Sequence, residues 1–176
     1  MKMRKLAAGL LAAAALSVAS LSANATTGPF YSCIKKNLTE FPGTIVDAAV
    51  ATPELSTLVD LVTAAGLANT LATTQNITVY APTNDAFAKV DQAVLGAIGG
   101  NADVLSAVLA YHVTPSLQDP RRWSQPQVRP TVQGQQVFIF HNGVSARVNN
   151  ARVNCQGVKA TNGIVWLIDS VLLPQF

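Results

Sequence analysis

The chain has 176 residues, the size of one domain. It is 49% hydrophobic and only 12% charged, about half the usual ~25%, which excludes a disordered chain kept in solution by its charge. The formal charge of +3 misleads, because Lys2, Arg4 and Lys5 supply all of it.

Those cations precede an apolar run from Leu6 to Leu21 and then Ala23-Asn24-Ala25. A basic start, an apolar middle and an A-x-A site predict a secretory signal peptide over residues 1–25. A retained membrane anchor is the alternative. Cleavage after Ala25 leaves 151 residues with nine basic and nine acidic side chains. That balance removes the cationic excess a nucleic-acid partner needs. No other stretch reaches the ~18 apolar residues of a spanning helix. The Ala-rich leader points to a bacterial chain, periplasmic or released. In that oxidising setting Cys33 and Cys155 are expected to form a disulfide, with two free thiols as the alternative.

Residues 26–42 are turn-rich and read as an arm ahead of a domain at 43–176. A helical stretch runs from Thr44 to Val50. Thr52 is expected to cap the next helix, with Pro53 at its first position and Glu54 in its first turn. Leu55, Leu58, Val59 and Val62 give it an apolar face, and Gly66 stops it. A short helical turn follows at Leu67–Thr73. The period then changes: Asn76–Ala81 alternates as a strand, ended by Pro82. Thr83 can cap a short helix carrying Asp85 and Phe87. Helices are predicted at Gln92–Ile98 and, capped by Asn101, at Ala102–His112. Thr114–Pro130 holds four prolines and reads as a long loop around Arg121-Arg122-Trp123. Strands follow at Gln136–His141 and Val144–Asn149 about an Asn142-Gly143 turn, then at Ala151–Cys155, Val158–Thr161 and Ile164–Leu173. Helices first and strands after them predict an α+β fold.

Two segments carry a resemblance. Thr78-Val79-Tyr80-Ala81-Pro82-Thr83-Asn84-Asp85-Ala86-Phe87 resembles the first signature of the fasciclin domain. Asn162-Gly163-Ile164-Val165-Trp166-Leu167-Ile168-Asp169-Ser170-Val171-Leu172-Leu173-Pro174 resembles the second. Between them Leu109-Ala110-Tyr111-His112-Val113 resembles the family's Tyr-His motif. The resemblance implies a β-sandwich or wedge of about seven strands with helices packed along it. It implies adhesion as the default role, with Tyr111 and His112 as candidate contacts. It also implies an alternative, since some secreted fasciclin-domain proteins carry carotenoids. Trp166 stands where the family often has His, and the Pro-rich loop is no family signature.

Each motif has a physical reading. Pro82, Thr83 and Asp85 make a sharp strand-to-helix corner. Asn162-Gly163 is expected to supply a positive-φ turn before a buried strand. Asp169 inside that run reads as a hydrogen-bonded polar anchor. His112, on the apolar side of its helix, reads as a buried hydrogen-bonding side chain, with ligand contact as the alternative. Two histidines outside any cluster with ligand spacing give no metal site. No nucleophile, phosphate-loop or dinucleotide motif occurs, so neither an enzyme nor a cofactor is expected.

Arg121, Arg122 and Trp123 are the sharper binding candidates, because functional residues gather on long loops and Arg and Trp are frequent interface anchors. Asp119–Pro130 carries a net +2. An acidic polysaccharide, an anionic surface or a cell-surface or matrix protein is the expected partner. The contrary expectation is that Trp123 packs back on the body. The leading reading is a secreted, non-enzymatic adhesion or protein-binding module. The alternative is a carrier of a small apolar ligand such as a carotenoid, and a purely structural envelope protein is the third.

Overall fold

The computed structural model describes residues 29–175, and the expected signal peptide at 1–25 lies outside them. In chain order the elements are α1 (Pro29–Lys35), β1 (Thr39–Glu40), α2 (Ile45–Val50), a 3-10 turn (Pro53–Leu55), α3 (Ser56–Ala64) and α4 (Ala68–Thr73). Then come β2 (Ile77–Pro82), α5 (Asn84–Ala88), α6 (Gln92–Gly99), α7 (Ala102–Tyr111) and β3 (Val113–Thr114). A second 3-10 turn (Pro120–Arg122) leads to β4 (Gln127–Pro130), β5 (Gln136–His141), β6 (Ala146–Val148), β7 (Ala151–Lys159) and β8 (Gly163–Ile168). The fold is α+β. The sheet runs β3-β2-β8-β7-β6-β5-β4, with β1 pairing β7 off that path.

β2 and β8 are parallel neighbours, and both faces of β8 are covered. Ile164, Trp166 and Ile168 point to one core with Tyr80, Val137, Ile139 and Val148. Val165 and Leu167 point to a second core, shared with α2, α3 and α7. This two-sided burial explains why Ile164–Ile168 reads as an unbroken apolar run rather than an alternating one.

The helix ends follow local chemistry. The Thr44 hydroxyl accepts from the Asp47 amide at 3.2 Å while the Asp47 carboxylate accepts from the Thr44 amide at 2.8 Å, a reciprocal capping box. Gly66 at φ +67° lets the Leu67 amide reach the Val62 carbonyl at 3.0 Å, closing α3 in a Schellman turn. Thr83, Asp91 and Asn101 cap α5, α6 and α7. Thr52 does not cap as expected: its hydroxyl donates back to the Ala48 carbonyl at 2.8 Å. Asn84, from the remote first signature, takes over. Its Oδ1 accepts from the Thr57 amide at 3.0 Å, in the first turn of α3.

The arm contains α1 and β1. Three further expectations are corrected. The Pro-rich loop contains β4, which pairs with β5 alone, and an edge strand tolerates the prolines that argued against one. The Asn142-Gly143 turn spans four residues, with His141 paired to Ala146. Its Asn142 Oδ1 accepts from the Val144 and Ser145 amides at 3.1 and 2.9 Å. Finally, Ala151–Lys159 is one strand, irregular between Val153 and Gly157, where two were expected. Among the described residues no single helix is long and apolar enough to cross a membrane.

Candidate functional site

The sequence candidates do not meet in one site. Arg121 is 4% exposed. Its guanidinium forks onto Asp119, with Nε to Oδ1 and Nη2 to Oδ2 both at 2.9 Å. Nη1 donates to the Lys36, Cys33 and Cys155 carbonyls at 2.8, 3.1 and 3.2 Å. The Cys33–Cys155 disulfide forms, joining α1 to β7 across 122 residues of chain. Arg121 therefore locks the arm, the second 3-10 turn and the sheet together. Its removal from the expected solvent-facing patch has a clear cause: every group that neutralises or accepts from it lies inward. Burial pushes the Asp119 carboxyl up, but hydrogen bonds from Arg121 and the charges of Arg121 and Arg122 more than offset this and hold it below the usual carboxylate range.

Arg122 and Trp123 remain outside. The Arg122 side chain is 76% exposed, and its 3.4 Å contact with Asp119 is loose. Trp123 is 39% exposed and lies 5.9 Å from the Arg129 guanidinium carbon. Its carbonyl accepts from the His141 amide at 2.7 Å.

Tyr111 and His112 are adjacent in the chain and serve opposite sides of the molecule. Tyr111 joins the inner core, where its hydroxyl donates to the Gln136 carbonyl at 3.1 Å and accepts from Asn149 Nδ2 at 3.0 Å. His112 is 3% exposed. Its Nε2 accepts from the Leu172 amide at 2.9 Å, so the proton sits on Nδ1 and is donated to the Val108 carbonyl at 2.7 Å. Burial pushes the imidazole pKa down to about 4, against the opposing bond to Val108. The neutral ring pins the C-terminal segment to α7.

Asn162 was read only as half of a turn, and it does more. Its Oδ1 accepts from the Ile45 amide at 2.9 Å, at the start of α2. Its Nδ2 donates to the Leu71 and Thr74 carbonyls at 2.8 and 2.9 Å, at the end of α4. Gly163 is not at positive φ, contrary to expectation. Glycine is required there because a β-carbon would overlap the Ile77 carbonyl of the parallel neighbour β2. The Asp169 carboxylate accepts from the Arg152 amide at 2.8 Å and from the Ser170 hydroxyl at 3.1 Å, an anchor as expected.

By holding the ends of α2 and α4, Asn162 helps define a cleft that no single motif marks. It lies between α2, α3 and α4 on one side and β2, β3 and β8 on the other, with a volume of about 190 Å³. Ala49, Val62, Leu71, Val79 and Val113 are among its lining. Val50 and Val132 also line it and are 64% and 57% exposed. No charged side chain lines it; the polar lining is Thr63, Thr70, Thr74 and His112. The Thr63 and Thr74 hydroxyls donate to the Val59 and Thr70 carbonyls of their own helices at 2.8 and 2.6 Å. Both His112 nitrogens are engaged. An occupant therefore meets hydrocarbon with little to hydrogen-bond.

The profile of the fasciclin domain matches residues 53–174. The immunogenic protein MPB70 of Mycobacterium bovis is 37% identical over 132 residues, covering 72% of this chain and 67% of that protein. Protein sll1483 of Synechocystis is 34% identical over 143 residues, covering 80% and 79%. The cell surface glycolipoprotein MPB83 of Mycobacterium bovis is 37% identical over 97 residues, covering 55% of this chain and 43% of that one. Among solved structures, a FAS1 domain pair from the insect cell adhesion molecule fasciclin I superposes with a TM-score of 0.58 at 18% identity, covering 76% of this chain and 52% of that chain.

Proposed function

The chain belongs to the fasciclin domain family, and from that premise we propose that it is a non-enzymatic, extracytoplasmic binding domain that holds a slender apolar ligand in the cleft beneath α2–α4. The ligand class is an acyl or isoprenoid chain. The observation that carries this reading is the hydrocarbon lining, with two of its three threonine hydroxyls and its one histidine already bonded elsewhere. Ligand pockets usually add a few convergent polar groups to fix orientation. A wall without them selects for a ligand without polar atoms along its length. The extracytoplasmic setting rests on the disulfide and on similarity to a cell surface glycolipoprotein.

A contact role through the Arg-Trp segment is the second reading, and it now rests on Arg122 and Trp123 without Arg121. To separate the two, the protein is purified from its own producer without detergent and extracted into organic solvent. The carrier reading expects a stoichiometric acyl or isoprenoid species by mass spectrometry, with visible absorption if that species is a carotenoid. An extract without any such lipid sinks it.

A further inference from the structure

Cationic charge is concentrated in one place. A groove of about 550 Å³ runs between the arm and the second 3-10 turn. Its cations are Lys35, Lys36, Arg121, Arg122 and Lys159, and its acids are Glu40 and Asp119. That is five of the nine Lys and Arg side chains beyond residue 25 and two of the nine acids. Arg121 is paired with Asp119, and Lys159 with Glu40 at 3.1 Å. Lys35, Lys36 and Arg122 are the surplus. The rest of the body carries four cations against seven acids, six of them on the helical layer between Asp47 and Asp103. Beyond residue 25 the nine cations balance the nine acids, and this body is thus polarised, with one cationic groove and an acidic remainder.

The groove is built rather than incidental. The disulfide and the Arg121 bonds to the Cys33 and Lys36 carbonyls fasten the segment that carries the two arm lysines to the turn that carries Arg122. Lys35, Lys36 and Glu40 lie outside the stretch matched by the family profile, so the groove does not come with the family's core.

We propose that this groove binds a linear anionic polysaccharide. A concave site admits a narrow chain, whereas a flat bilayer reaches the rim alone. Membrane attachment also calls for protruding apolar side chains beside the cations, and Ile34, at 36% exposure, is the most exposed apolar side chain lining this groove. Single-stranded nucleic acid calls for aromatic stacking platforms, and no aromatic side chain lines it. A glycan carrying carboxylates needs neither. It needs spaced cations and a fork such as that of Arg122. This site is separate from the apolar cleft, and either can fail without the other.

The test is calorimetric titration of the disulfide-intact protein with polygalacturonate oligomers, with neutral dextran and phosphatidylglycerol vesicles as the other arms. The variant Lys35→Gln/Lys36→Gln/Arg122→Gln alters exposed side chains. The variant Lys89→Gln/Arg147→Gln/Arg152→Gln removes the same charge elsewhere. Polygalacturonate is expected to bind, more weakly as salt rises. The groove variant should lose about tenfold or more in affinity, as three surface ionic contacts allow, and the distal variant much less. The proposal is overturned if polygalacturonate does not bind, if both variants weaken it equally, or if the vesicles bind and the glycan does not.

Discussion

The Arg121 guanidinium carbon lies 4.8 Å from the centroid of the Trp166 ring, and Trp166 in turn donates from Nε1 to the Gln118 carbonyl at 2.9 Å. A cation stacked on a fully buried indole joins the Pro-rich segment to the central strand β8. Trp166 also requires its neighbour to be small, because a β-carbon at Gly157 would meet its ring at 2.8 Å. Three remote stretches thus share one buried cationic hub.

The first prediction concerns that hub. Arg121→Ala removes the guanidinium that forks onto Asp119 and bonds the Cys33, Lys36 and Cys155 carbonyls, and should cost about 3–5 kcal/mol. Arg121→Lys should recover little, since an ammonium cannot fork onto the carboxylate. Arg122→Ala, on an exposed side chain, should stay within about 0.5 kcal/mol of the parent. Urea unfolding followed by tryptophan fluorescence checks all three, and equal costs at Arg121 and Arg122 contradict the hub.

The two signatures were legible in the sequence because capping, corner-turning and buried strands are local matters. Thr83, Asn101 and Gly66 act where their spacing placed them. Arg121 was misread as a surface group because its burial depends on Asp119, on α1 and on Trp166, and nothing in a basic loop discloses what arrives from elsewhere. The fault at Gly163 was similar. Its need for glycine comes from the close approach of β2, not from its own backbone angle. The apolar cleft is present in the sequence reading only as the alternative of a carrier of a small apolar ligand. Its position follows from the spacing that Asn162 imposes between the ends of α2 and α4, which no periodicity reveals.

Asn162 and Gly163 give the second prediction. Asn162→Asp keeps the acceptor for Ile45 and turns a carboxylate oxygen toward carbonyls that had a donor. It should destabilise by about 2–4 kcal/mol. Gly163→Ala should cost about 1–3 kcal/mol through overpacking against β2. Thermal unfolding by circular dichroism measures both, and a neutral Asn162→Asp would remove this residue from its role.

His112 makes stability depend on pH. The folded protein holds it neutral with a pKa near 4, below the ordinary 6.5. The unfolded chain therefore binds the proton first as pH falls. This contribution is complete above about pH 6.5, is lost progressively toward pH 4, and amounts to about 3 kcal/mol at most. Asp119 acts the same way in a lower window, below its ordinary 3.8. Unfolding free energies between pH 4 and 7 should slope upward in the parent and flatten in His112→Gln. A parent curve that is flat over that range contradicts the buried neutral ring.

Reduction of Cys33–Cys155 opens a 122-residue loop and should lower stability by about 2–5 kcal/mol. Proteolysis should then begin in the arm, since α1 loses its covalent tie to β7. Denaturant unfolding with and without reductant, followed by mapping of the first cleavage, checks this. First cleavage within the sheet rather than the arm speaks against the staple.

The most direct measurement of the central claim is a fluorescence titration with cis-parinaric acid, a slender polyene, of the parent and of Ala49→Phe. Ala49 lines the cleft, so the phenyl ring fills the space the ligand needs. Saturable binding at one site in the parent, abolished in Ala49→Phe while both melt alike, is the predicted result. Equal binding in the two proteins, or none in a lipid-stripped parent, contradicts it.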